Sequence, residues 1–310
     1  MQLRRLHLTG LADRAVPDPG PAGWPRPAGC ALPSLPVSGT TSSEFDEATA
    51  VREIGPGRYA GTVVEGWDVR GNPHGGFLLA LVTRAMAEAV DQSDPLSVSA
   101  TYLAPPDFGP AEVEVTVLRA GKRQSTVSGR LVQDGTDRVH AVATFGTVSA
   151  KPPQRLTPDL AAPQPLPPPE ACPSTDVIDR EGLGPVNLHD RLLVRFHPDT
   201  GWIHGTPSGK PEMNGWMRHA GREPDLFATL MFSDGMPPSL YEARGRQGVH
   251  TPTVQLTTHL FAHPAPGWVQ GSFRTRVLAD GFLDQDGELW DSAGTLVATT
   301  RQLGLVRTWT

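Results

Sequence analysis

Cysteine is nearly missing from this chain. Its 310 residues include two, Cys30 and Cys172, too few for a disulfide framework and without the spacing of a metal site. A basic excess is missing as well. Lys and Arg total 27 against 33 Asp and Glu, a net charge of −6, whereas nucleic-acid binders carry a basic excess or stripe. No nucleic-acid partner is therefore expected. No apolar run approaches membrane-spanning length. The N-terminal MQLRRLHLTGLADRAV has basic residues but no apolar signal core. The chain thus reads as a cytoplasmic protein with no membrane span and no metal.

Proline and glycine, by contrast, are plentiful, at 32 and 33 residues. They concentrate in two aperiodic segments. Residues 1–42 read as a disordered N-terminal extension. Residues 151–184, rich in PPP and PQP, read as a semi-rigid linker or a wrapping strand. They set off an N-terminal domain, 43–150, and a C-terminal domain, 185–310. The first opens on SEFDEATAVREIGPGRYAGTVVEGW, with a Gly-Pro-Gly turn between two short extended runs.

The two domains resemble each other. In the first, a helix from Gly75 to Val90 precedes LSVSATYLAPP, AEVEVTVLRAG, QSTVSGRLVQDG and RVHAVATFGTV. In the second, a helix within EPDLFATLMFSDGM precedes PTVQLTTHLFAHP, VQGSFRTRVLADG, LDQDGELWDSAG and TLVATTRQLGLV. Each is one helix followed by period-two strands with Gly turns, and a repeat this long is a duplicated domain. FLLALVTRAMAEAV is apolar on nearly all sides, as a helix wrapped by a sheet must be. The expected fold is α+β: a double hotdog, two helix-wrapped antiparallel sheets in one chain.

On GNPHGGFLLALVTRAM, YLAPPDFGPAEVEVTVLRAGKRQST and RLVQDG in the first half, and WMRHAGREPDLFATLMFSDGMPP, TPTVQLTTHL and GTLVATTRQLGLVR in the second, the chain resembles the thioesterase-like superfamily. The particular likeness is to acyl-CoA thioesterases of the TesB (thioesterase II) type, over about residues 43–150 and 185–310. Such enzymes hold an attacking water with an Asp, a Thr and a Gln. The resemblance places these roles on Asp234 in MFSDGMPP, Thr253 in TPTVQL and Gln302 in TTRQLG. It implies an acyl-CoA or acyl-carrier thioester substrate, no cofactor, and a homo-oligomer. The rival readings are a non-catalytic acyl-binding hotdog protein and a hotdog dehydratase or hydratase.

The residues carry their own alternatives. Asp234 ends an apolar helix, so it either caps a turn or is a half-buried base. Gln302 shares a strand face with Leu296, Ala298 and Thr300. Thr253 is chosen over Val254 because only it has a hydroxyl. Gly75 and Gly76 open a helix interior where Gly is unfavourable. Either the Gly76 N–H donates to a thioester oxyanion with Gly75 allowing close approach, or the glycines let the helix start pack against a strand. His74 either contacts substrate or makes a local hydrogen bond. Lys122 and Arg123, in the compact basic cluster RAGKRQ, are a solvated hairpin or a site for CoA phosphates. A hydratase would need His74 and Asp68 at one cavity. His259 and His263, four apart on an expected strand, lack a third metal ligand. Laying the repeats together sets Ser97 opposite Thr253 and Thr147 opposite Gln302, and Glu88 is the first helix's only acid. One working water site per chain is inferred, in the second half.

Overall fold

The computed structural model describes residues 43–149, 151–154, 163–178, 186–246 and 249–308. The expected extension 1–42 lies outside them. In chain order the first half runs α1 (Glu44–Ala48), β1 (Arg52–Gly55), β2 (Arg58–Val63), the short hairpin β3 (Asp68–Val69) and β4 (Asn72–Pro73), α2 (Gly75–Ala87), β5 (Asp94–Tyr102), β6 (Gly109–Arg119), β7 (Ser125–Gln133) and β8 (Thr136–Gly146). The second runs β9 (Leu192–Phe196), β10 (Glu212–His219), α3 (Leu226–Phe232), α4 (Leu240–Arg244), β11 (Val249–His250), β12 (Thr253–Leu260), β13 (Val269–Ala279), β14 (Phe282–Trp290), β15 (Leu296–Leu305) and β16 (Arg307–Thr308).

Twelve strands form one antiparallel sheet in the order β1-β2-β6-β7-β8-β5-β12-β15-β14-β13-β10-β9. The order is a palindrome of the two repeats, joined edge to edge where β5 meets β12. Ser99 faces Thr257 at that seam, and their hydroxyls bond at 2.8 Å. Each half thereby removes the other's exposed edge. This is the double hotdog. α2 is buried from Gly76 through Thr83 and again at Ala85 and Met86, and it packs on β5, β6, β7 and β8. Its one buried hydroxyl, Thr83, donates to the Leu79 carbonyl four residues back (2.7 Å).

α2 and α3 lie antiparallel. The start of α2 meets Met231 near the end of α3, while Arg84 near the end of α2 lies over the Phe227 ring, 4.6 Å from its centroid. β1 and β2 are the two extended runs expected around the Gly-Pro-Gly turn, and they are preceded by α1. Ser43 caps it by accepting from the Asp46 N–H (3.2 Å), a cap signal that SEFD carries in sequence. The segment expected as a linker is, over 163–178, laid on the second half. Pro167 accepts from Trp216 Nε1 (2.8 Å), Pro173 from the Phe196 N–H (2.8 Å), and Cys172 is buried.

Asp46 clamps the halves. It accepts from Arg84 Nη2 at 2.6 Å and from Arg222 Nε and Nη2 at 2.9 Å each. Burial alone would raise its pKa, but Arg222, Ser43 and Arg84 outweigh that and lower it from 3.8 to about 2. A depressed carboxylate pKa stabilises the fold above the unfolded value, and that stability is lost as pH falls toward 2. The side chain is 34% exposed, so screening reduces the contribution to about 1 kcal/mol. Asp46→Asn is expected to lose that much in urea denaturation at pH 7, with the difference from wild type closing near pH 2.

Candidate active site

Asp234 lies just past α3. The N–H groups of Ser233, Asp234 and Gly235 close back on Thr229, Met231 and Phe232, so the residue does belong to a helix terminus. Its side chain is nonetheless only 14% exposed. A carboxylate at the C-terminal end of its own helix faces an unfavourable dipole. The antiparallel packing offsets this by presenting the N-terminus of α2. The Gly76 N–H donates to Asp234 Oδ2 at 3.1 Å. Oδ1 accepts from Gln302 Nε2 at 2.9 Å and from Thr253 Oγ1 at 3.5 Å. Gln302 Nε2 also donates to Thr253 Oγ1. Burial pushes the Asp234 carboxyl above its ordinary value, against the opposing pull of His74, Gly76, Gln302 and Thr253. The three residues assigned to the water site therefore meet at one carboxylate oxygen.

Thr253 reaches this position through a β-bulge. The core-facing residues of β12 are Leu256, Thr258 and Leu260, which by strict alternation would turn Val254 inward and Thr253 outward. The ladder with β15 shifts between Thr253 and Gln255, and the extra residue re-aims the hydroxyl. Gln302 needs no such device, because it shares a face with buried Ala298 and Thr300 as alternation requires.

The two glycines answer to helix packing. A Cβ on Gly76 would overlap the Met231 carbonyl oxygen, so the close partner of α2 is α3 and not a strand. A Cβ on Gly75 would stand 2.7 Å from Asp234 Oδ2 and 3.3 Å from the Tyr102 hydroxyl. Expected as an oxyanion donor, the Gly76 N–H here donates to the carboxylate instead. His74 caps α2. Its Nδ1 accepts from the Phe77 N–H (3.4 Å), and its Nε2 lies 2.8 Å from the Asp234 carbonyl oxygen and 3.5 Å from Asp234 Oδ2. Both ring nitrogens are engaged within the protein, which is the local-bond alternative for His74. Lys122 and Arg123 are exposed in the β6–β7 turn. That turn meets Gln92 beyond the far end of α2, about 20 Å from Gly75 by the rise of its 13 residues.

The hydratase pair does not assemble. Asp68 accepts from Gly66 N–H (3.1 Å), Gly71 N–H (3.0 Å) and Asn187 Nδ2 (3.0 Å), all within the protein. β12 ends at Leu260, so His263 is off the strand that carries His259, and it lies 3.4 Å from Asp94.

Ladder register corrects the expected counterparts in the first half. Gln302 lies between Leu256 and Gln285, whereas Ala143 lies between Val98 and Val127. Because 256 − 98 and 285 − 127 both equal 158, Ala143, not Thr147, is the counterpart of Gln302. The seam, with 257 − 99 = 158, pairs Thr253 with Pro95 rather than Ser97, and β5 has its own bulge there, between Pro95 and Ser97. Pro95 and Ala143 have no side-chain polar group, and Glu88 is exposed beyond the end of α2. The first half therefore has no matching polar set.

Sequence reading missed two neighbours. The Tyr102 hydroxyl donates to the Gly75 carbonyl (2.8 Å), and burial, then the Asp234 charge, push its pKa well up. Gln285, buried in β14, donates through Nε2 to Gln302 Oε1 (3.1 Å). No local pattern marks either one; LDQDGELW reads as an ordinary alternating strand.

Comparison with known proteins bears on the family and the fold. The family model of the acyl-CoA thioesterase N-terminal domain matches residues 63–146, and that of the C-terminal domain matches 169–306. An uncharacterised protein of Mycobacterium tuberculosis is 29% identical over 84% of this chain and 98% of its own. A candidate thioesterase II from Thermobifida fusca superposes with a TM-score of 0.75 at 30% identity, covering 85% of this chain and 97% of that one. A protein of unknown function with a hot dog fold from Alicyclobacillus acidocaldarius gives 0.74 at 24% identity, over 87% and 100%.

Proposed function

The chain belongs to the acyl-CoA thioesterase family and is a thioester hydrolase, and from that premise we propose that it hydrolyses fatty acyl-CoA with a water activated by Asp234. The observation that supports this most is the convergence of Thr253 and Gln302 on one oxygen of a buried carboxylate.

In this mechanism Asp234 Oδ1 takes a proton from the water as its oxygen adds to the thioester carbonyl carbon. Thr253 and Gln302 hold that water in place. Protonation weakens the hold of Oδ2 on the Gly76 N–H as charge develops on the carbonyl oxygen, which releases the donor to the oxyanion. The tetrahedral intermediate collapses, the C–S bond breaks, and the departing sulfur receives the proton from Asp234. The products are a carboxylic acid and a thiol. The acyl chain runs in an apolar tunnel beside α2. Lys122 and Arg123 meet the CoA phosphates, remote from the thioester as they are. Replacing both by Ala is expected to raise KM severalfold at low ionic strength, with the difference shrinking as salt screens it and kcat unchanged; an unaltered KM removes them from the substrate site.

The test of function is thiol release from acyl-CoAs of graded chain length, with the same acyl groups on a phosphopantetheine carrier protein in parallel. Turnover of the CoA esters supports the reading, and the length series gives the preferred acyl chain. Bound acyl-CoA without turnover makes the protein an acyl-binding hotdog. Turnover confined to the carrier esters replaces CoA with a carrier protein.

A further inference from the structure

We propose that Gln285 is a positioning residue that dictates which end of the Gln302 amide faces Asp234, with the backbone N–H of Ser239 as the fixed reference for both. This rests on the water site just described and extends it by one layer.

A glutamine amide has a donor end and an acceptor end of nearly equal size. Only the donor end of Gln302 suits a carboxylate; with the ends exchanged, an oxygen would face Asp234 Oδ1. Which end points inward is decided by the partners. The Ser239 N–H cannot be anything but a donor, and it donates to Gln285 Oε1 at 3.0 Å. The Ser239 hydroxyl donates to the same oxygen at 2.8 Å. With its oxygen held there, Gln285 presents Nε2 to Gln302 Oε1 (3.1 Å). Gln302 is thereby left with Nε2 toward Asp234 Oδ1 and Thr253. Each link fixes the polarity of the next.

The reference itself is firmly placed. Ser239 follows Pro237-Pro238 and precedes α4, whose first turn closes with Tyr241 N–H on Pro238 and Glu242 N–H on Ser239. It lies five residues after Asp234 in SDGMPPS. One short segment therefore supplies both the carboxylate and the N–H that orients the amide facing it, and the two glutamines close the ring. The repeat provides a comparison within the chain. The positions of Gln285 and Gln302 are taken in the first half by Val127 and Ala143, which face each other in the same register. An apolar pair thus satisfies the fold, and a buried amide pair is unfavourable unless fully bonded. The polar pair occurs only in the half that holds Asp234.

The experiment measures kcat, KM and the pH dependence of kcat/KM for acyl-CoA hydrolysis by the full chain and by Gln285→Met, Gln285→Glu, Gln302→Ala, Asp234→Ala and Gln285→Met combined with Gln302→Ala. Circular dichroism melts follow folding. Gln285→Met is expected to lower kcat about tenfold, one hydrogen bond's worth of orientation, with KM nearly unchanged. Gln285→Glu keeps the bonds to Ser239 and the side-chain volume, so it remains informative if the Met variant folds poorly. Its second oxygen attracts the Gln302 NH2 and turns Oε1 toward Asp234, so kcat falls further and the acidic limb of the profile moves up. In the Gln302→Ala background, Gln285→Met is expected to have no added effect. An equal loss in both backgrounds, or a Gln285→Glu variant with wild-type kcat and acidic limb, overturns the proposal. Wild-type turnover by both Asp234→Ala and Gln302→Ala would instead overturn the water site beneath it.

Discussion

Asp234→Ala is expected to lower kcat for acyl-CoA hydrolysis by about a thousandfold, within the range of a positioned general base, while KM changes little. The carboxylate is reached by Gly76, Thr253 and Gln302, and among these four groups only Asp234 can accept a proton from water near neutral pH. Burial raises its pKa above 3.8, so its carboxylate is a stronger base than that of an exposed aspartate. A raised carboxyl pKa also means that the ionised form is less stable in the folded protein than in the unfolded chain. Stability attached to this group is therefore fully present below the unfolded value and declines as pH rises through the folded one. Asp234→Ala removes that liability, and its melting temperature at pH 7 is expected to stay close to wild type.

Replacing the two glycines separates packing from chemistry. Gly76→Ala places a methyl against the Met231 carbonyl, a backbone group that cannot rotate away. The helices must part, at a cost of about 2–3 kcal/mol, which lowers the melting temperature by roughly 5–10 °C for a protein of this size. Gly75→Ala meets the Asp234 carboxylate and the Tyr102 hydroxyl, both side-chain ends that can yield. Its melting temperature is expected to fall by less than about 4 °C, but the displaced carboxylate loses alignment with Gln302, and kcat falls about a hundredfold. The contrast is read by pairing thermal melts with thiol release. Equal stability losses in the two variants would contradict the assigned contacts.

Much of this was readable from residues alone, for identifiable reasons. The double hotdog follows from a helix apolar on nearly every side and from period-two strands that recur after it. Gln302 was named by the family resemblance, and alternation put it on the face of Ala298 and Thr300, where the structure has it because no bulge intervenes. Thr253 could be chosen only by its hydroxyl, since the bulge that turns it inward arises in the pairing of β12 with β15 and leaves no mark in TPTVQL. The repeats were misaligned in sequence, so that Thr147 and Ser97 stood in for Ala143 and Pro95, and only ladder register corrects this. The two meanings of Asp234 were not alternatives, because antiparallel helix packing makes a helix end also a buried site. Gly75 and Gly76 signalled a close approach, but the partner helix is distant in sequence. Gln285 was invisible because a glutamine on an alternating strand announces neither its depth nor its neighbour.

The central claim is that Asp234 is the base. The most direct test is the pH dependence of kcat/KM for the best acyl-CoA substrate, measured for wild type beside Asp234→Ala with both proteins shown to be folded. The account predicts a wild-type acidic limb governed by one group titrating above 3.8, and a variant that is slower throughout and lacks that limb. An Asp234→Ala profile that keeps the wild-type limb and rate would contradict it.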